Sequence, residues 1–142
     1  MTKIAHIRIP RSLLTDPLWL NTPPNQRIVF ETILAHSCFK PQKFDNHGDI
    51  EHLQPGQFCA SFREIAKLCG TGISKKDVEH CLVRFKKYGF MGQEVRQDRA
   101  CSKSVITISH PETYELILEA WKSISGTGNG TALGQDWDRK RE

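Results

Sequence analysis

Lys75, Lys76, Glu79, His80, Val83, Arg84, Lys86 and Lys87 crowd into one short segment, residues 75–88. Val78, Cys81, Leu82 and Phe85 recur through the same segment at the spacing of one helix face, which predicts a helix with those four inward. Subtracting that stripe leaves the first set outward, with Lys76, His80, Val83 and Lys87 along one outer face at spacings of 4, 3 and 4. The chemistry open to such a face is non-covalent recognition of a nucleic-acid duplex. Lysine donates to guanine, glutamate accepts from the cytosine amino group, and valine suits either a thymine methyl or partial burial. Lys75, Lys76, Glu79 and His80, in the N-terminal half, are the candidates for base edges. Lys86 and Lys87 are candidates for phosphates, which fix position without reading sequence.

The elements that must position this face carry their own signals. Ser61-Phe62-Arg63-Glu64 is a capping box, and Ser74 followed three residues later by Asp77 is a second acid-bearing cap. Gly70-Thr71-Gly72 between them permits a sharp turn. A helix over about 62–69, presenting Phe62, Ile65, Ala66 and Cys69, then a helix over about 75–88 stopped by Gly89, describe a helix-turn-helix. Ser61 and Ser74 cap these helices, and the N–H groups at both starts can also hold phosphates, which makes Ser74, and Arg63 beside the start at Ser61, contact candidates. Residues 90–95 and 104–109 read as a β-hairpin with a polar connection over 96–103. From that hairpin Arg96, Arg99 and Lys103 would reach a backbone or the minor groove, the alternative being an ordinary solvated hairpin.

The rest of the chain supplies the scaffold. Residues 4–9 suggest a strand ended by Pro10, Arg11 to Leu14 a single turn, and Trp19 a plug for one end of the core. Pro23-Pro24 predicts the start of a helix reaching about Ser37 and burying Ile28, Val29, Ile33 and Leu34. Residues 40–52 are polar and read as a loop; Pro55-Gly56 is a turn, and 57–60 a short strand. A last helix over 111–124 places Tyr114, Ile117, Leu118 and Trp121 on one stripe, for packing on its own core or on a second copy. Residues 125–131 are glycine-rich and 133–142 charged, so 125–142 is expected to be a flexible tail behind one domain over 1–124. The fold class expected is α+β, mostly α.

Composition narrows the function. The 142 residues are 38% hydrophobic with a formal net charge of +4. Residues 62–103 hold ten Lys or Arg against five acids, so the positive charge concentrates on the helix pair and hairpin. The five cysteines form no CxxC pair and suit reduced thiols in a cytoplasmic protein. The start lacks a signal-peptide pattern and no apolar run is long enough to span a membrane. Cys38, His47, His52 and Cys59 match no common zinc spacing, and the phosphate-loop, HExxH and GxSxG motifs of enzymes are missing. Neither a catalytic role, a metal nor a cofactor is expected. If five or six phosphates are neutralised, log K falls with log salt at a slope of about −5.

Strand, helix, helix, hairpin is the order of a winged helix, and three pieces of sequence resemble one group with that fold. They are Ile7-Arg8-Ile9-Pro10-Arg11-Ser12-Leu13-Leu14 through Trp19; Pro55-Gly56-Gln57 with Ser61-Phe62-Arg63-Glu64-Ile65-Ala66; and Gly72-Ile73-Ser74 with Val78, Leu82, Phe85 and Gly89-Phe90. Over about residues 4–120 the chain resembles the N-terminal winged-helix domain of phage and plasmid replication-initiation proteins, of the replisome-organiser and DnaD-like kind. The resemblance implies a winged helix-turn-helix with a C-terminal hairpin wing and an extra terminal helix, binding double-stranded DNA. Beside DNA, replisome proteins or a second copy of the chain, the latter through the 114–121 stripe, stay open as partners. Winged-helix transcription regulators, and winged helices used for protein–protein interaction, share the same grammar. Family members usually continue into a second domain where this chain has a short tail, so the DNA-binding half of the role is the half expected.

Overall fold

Two prolines set the first long helix. Pro23 caps it in an extended conformation and Pro24 occupies its first turn, where a missing N–H costs nothing. The computed structural model describes residues 6–46, 49–97 and 102–125. Two single-turn helices, α1 (Arg11–Leu14) and α2 (Pro17–Leu20), precede α3 (Pro24–His36). Helix α3 buries Val29, Phe30, Ile33 and Leu34. Ile28, expected inside, is exposed: the buried arc centres between Ile33 and Phe30 with Val29 at its edge, and Ile28 falls beyond that edge.

After α3 the chain forms β1 (Gln42–Asn46) and β2 (Asp49–Leu53), antiparallel with Gln42 opposite Leu53. The polar stretch expected to be a loop is thus a ribbon, with residues 47 and 48 at its turn outside the described residues. Backbone pairing satisfies such a ribbon without apolar alternation. Leu53 anchors its end in a small cluster with Cys38, Cys59 and Val105.

Then follow β3 (Gln57–Ala60), α4 (Phe62–Cys69), α5 (Lys75–Lys87), β4 (Met91–Gln97), β5 (Ser102–Ile108) and α6 (Pro111–Ser125). The sheet order is β3-β5-β4, antiparallel throughout, with Ala60 opposite Ser104 and Met91 opposite Ile108. The architecture is α+β, with more residues in helices than in its two small antiparallel sheets. The hairpin strands reach further out than residues 90–95 and 104–109 suggested, since Arg96 and Gln97 still pair with Lys103 and Ser102.

The expected N-terminal strand does not form over residues 6–9; Ile4 and Ala5 lie outside the described residues. His6, Ile7 and Arg8 instead lie along the C-terminal end of α3 and α6, where Arg8 meets Glu119 at 3.4 Å. Helix α6 buries Thr113 completely, and its Tyr114 ring covers Gly56. Ile117, Leu118 and Trp121 are all half-buried, and Ile117 packs on the main core. The tail over 126–142 lies outside the described residues. No described helix is long and apolar enough to cross a membrane.

An aromatic cluster fixes the orientation of α5. The Phe85 ring lies 4.9 Å from Phe30, 6.0 Å from Trp19 and 5.8 Å from Phe90, centroid to centroid. One α5 side chain therefore contacts α2, α3 and the entry to β4. With Val78, Cys81 and Leu82 also buried, one face of α5 is locked inward and the opposite face is set by the helix period.

Candidate nucleic-acid interface

The turn between α4 and α5 is built on backbone conformation. Gly70 and Gly72 have φ of 93° and 96°, and a Cβ at either would meet nothing within 4 Å. The glycines are therefore required for torsion angle, not for space. Both capping boxes form as the sequence predicts. Glu64 N–H donates to Ser61 Oγ while Ser61 N–H donates to Glu64 Oε1 at 2.8 Å. Asp77 N–H donates to Ser74 Oγ and Ser74 N–H to Asp77 Oδ2 at 2.9 Å. The Ser74 backbone N–H, and beyond it Asn25 and His80, hold the Asp77 carboxyl below the usual range. Two first-turn N–H groups of α5 are thereby satisfied, and those of Lys75 and Lys76 have no partner within the helix.

Opposite the Phe85 face, Lys76, His80, Val83 and Lys87 are all exposed, Val83 by 65%. Partial burial is thus set aside for Val83. Lys75 and Lys86 are exposed on one flank, with Glu79 half-buried between them instead of open as expected. Arg84 on the other flank is also half-buried, its Nε donating to Gln26 Oε1 of α3 at 3.2 Å. Arg63 is exposed at the start of α4.

Side chains that carry no charge tie this helix to the rest of the fold. Asn25 Nδ2 reaches both the Gly72 carbonyl at 3.4 Å and Asp77 Oδ2 at 3.3 Å, bridging α3, the turn and α5. Lys86 Nζ donates to Gln93 Oε1 at 2.8 Å, and Gln93 Nε2 donates to Ser104 Oγ at 2.8 Å. That relay links the C-terminal half of α5 to both hairpin strands. Asn25, Gln26 and Gln93 escaped the sequence reading because lone amide side chains have no periodicity or charge to mark them. Tyr88, also missed, is 56% exposed and carries Lys87 Nζ 5.6 Å above its ring, within cation–π range. Its signal was an aromatic residue beside a lysine at a predicted helix end.

Of the three hairpin candidates, Lys103 is the one whose side chain is described. Lys103 pairs with the Glu64 carboxylate at 3.4 Å and its side chain is only 14% exposed, so it is a tertiary contact between β5 and α4. Register explains this: the pairing of Ala60 with Ser104 sets Lys103 beside the Ser61 cap. The Ser61 backbone bond, and then the Lys103 charge, hold the Glu64 carboxyl below its usual range. Arg99 lies outside the described residues, as does the side chain of Arg96.

Cys38 and Cys59 are buried, and Cys38 Sγ donates to the Gln54 carbonyl; His52 is exposed and His47 lies outside the described residues. No group of three or more potential metal-holding side chains occurs among the described residues. Comparison with models of protein families, with curated proteins and with solved structures found no match.

Proposed function

We propose that this protein is a winged-helix, sequence-specific binder of double-stranded DNA, with α5 entering the major groove and the β4–β5 hairpin serving as the wing. The observation that carries the reading is the outward face of α5. Lys76, His80, Val83 and Lys87 are exposed together on a helix whose orientation is fixed by Phe85 and by contacts to α3 and the hairpin. The order α3, β3, α4, α5, β4, β5, with β5 lying between β3 and β4, is consistent with a winged helix. In the N-terminal half of α5, Glu79 and His80 would read bases together with Lys75 and Lys76, whose ammonium groups also neutralise nearby phosphates, and Arg63, Arg84 and Lys87 would meet phosphates, Lys86 being held by Gln93. The resemblance of the sequence to phage and plasmid replication-initiation proteins makes origin DNA the first target to test.

The triple variant Lys76→Ala/Arg84→Ala/Lys87→Ala is expected to lose duplex binding while keeping its circular-dichroism spectrum; unchanged affinity ends this reading. Selection of bound fragments from random DNA separates the possible roles. Repeated sites from a replication origin support initiation, whereas a promoter operator supports a transcription regulator. A palindromic site would place two copies on two half-sites. Light scattering on the free protein tests that pairing, for which Leu118 and Trp121 of α6 supply half-buried apolar surface.

A further inference from the structure

Among the α5 cations, Arg84 alone is held by a residue of another helix, and this sets its geometry apart. A guanidinium is planar, with its five N–H donors in a fixed fork, so fixing one of them restrains the whole plane. Here the Nε–H is taken by Gln26 Oε1 at 3.2 Å, and both side chains are half-buried between α3 and α5. The two Nη groups are left over. Among the described residues no carboxylate lies within ion-pair distance of them. Lys86, by comparison, spends its ammonium on Gln93.

We propose that Arg84 is a pre-oriented clamp for a backbone phosphate of duplex DNA and that Gln26, on α3, is its positioning residue. This rests on the DNA-binding reading of α5. The physical gain is in ordering. A free arginine must surrender rotamer freedom when it meets a phosphate, whereas an arginine already fixed at Nε has surrendered part of it on folding. The two Nη groups then offer the paired donors that a phosphate accepts in bidentate fashion. Lysine cannot reproduce this, because a rotating ammonium has no plane to fix.

The test is a double-mutant cycle on the full chain, read by anisotropy of a fluorescein-labelled duplex of mixed sequence across a salt series. Gln26→Ala is expected to weaken binding by about three- to tenfold, the range of one lost hydrogen bond, and to leave the salt slope unchanged. Arg84→Ala is expected to weaken binding and to lower the slope by about 0.9, the signature of one lost phosphate contact. In the Arg84→Ala background, Gln26→Ala should have no further effect, and Arg84→Lys should restore the slope without restoring the affinity. Gln26→Met, which keeps the side-chain bulk and removes the acceptor, should match Gln26→Ala and covers the case in which the alanine variant fails to fold. An undiminished effect of Gln26→Ala without Arg84, or no effect with it, overturns the clamp if Lys76→Ala still weakens binding. If Lys76→Ala and Arg84→Ala both bind like the wild type, the DNA-binding reading itself falls.

Discussion

Removing two central charges from the outward face of α5 gives the sharpest test, because the expected change follows from counting contacts. Lys103 is committed to Glu64, which leaves Arg63, Lys75, Lys76, Arg84 and Lys87 as described cations of the face without a carboxylate partner, Lys86 being bound to Gln93. Five neutralised phosphates correspond to a slope of log K against log salt of about −4.5. The double variant Lys76→Ala/Lys87→Ala would bring that slope to about −2.7. At about 0.1 M salt each such contact is worth about eightfold, so the pair is worth about 60-fold, or about 2.5 kcal/mol. Anisotropy titrations of labelled duplex at several salt concentrations read both numbers at once. The control removes the same charge elsewhere, in Lys43→Ala/Lys122→Ala, two exposed lysines on β1 and α6. If the control flattens the slope as much as the α5 variant, binding reflects general basicity and the reasoning fails. An unchanged slope in the α5 variant refutes it equally.

Phe85→Ala empties the site where α2, α3 and β4 meet α5, and should cost about 3–5 kcal/mol in denaturant unfolding; Phe85→Leu should cost much less. Ser74→Ala removes the acceptor for the Asp77 N–H and should cost about 1 kcal/mol, measured the same way. His110 caps α6 through Nδ1, 3.4 Å from the Thr113 N–H, and burial holds its pKa below the usual range against the opposing pull of Glu112 and Asp16. The unfolded chain then binds that proton more readily, so the stability it contributes is complete above about pH 6.5 and is lost as pH falls through the folded value. His110→Asn, which keeps an acceptor and does not titrate, should flatten the melting temperature over that window. Cys81 is fully buried with its thiol pKa pushed up, and Cys69 is half-buried, so peptide mapping after alkylation of native protein should find Cys69 modified well before Cys81.

Local chemistry was the legible part of this sequence, and tertiary commitment was not. The limits of β3 and α4 and the start of α5 coincide with the reading because serine caps and glycine torsions act within a few residues. The ribbon over β1 and β2 was missed because its stabilisation is backbone pairing, which leaves no apolar period to count. Phe30 and Ile28 exchanged places because a helix with apolar residues at 28, 29, 30, 33 and 34 admits two neighbouring arcs, and only the aromatic contacts to Trp19 and Phe85 choose between them. Among candidate contacts, Lys76, His80, Val83 and Lys87 were placed correctly on one exposed face, since helix period alone decides that. The half-buried settings of Lys103 and Arg84 were not legible because their partners are distant in sequence, at Glu64 and Gln26.

Those partners also lend support to the proposed DNA-binding reading of the basic face over that of a solvated surface. Acids close to α5 would weaken its attraction for phosphate if they paired with its lysines. The Asp77 carboxylate is instead turned onto the Ser74 N–H and Asn25, and the Glu64 carboxylate onto the Ser61 N–H and Lys103. Each acid therefore stabilises a helix start while standing apart from Lys75, Lys76 and Lys87. Lys103, which is drawn into the Glu64 carboxylate, sits on the hairpin and joins β5 to α4. The fold thus uses Asp77 and Glu64 as caps, which leaves the outward lysines of α5 to set the field on that face. A surface selected only for solubility needs no such separation, since interspersed pairs of both signs serve it as well. The separation concentrates positive charge on a helix held in place by Phe85, Asn25 and the Lys86–Gln93–Ser104 relay.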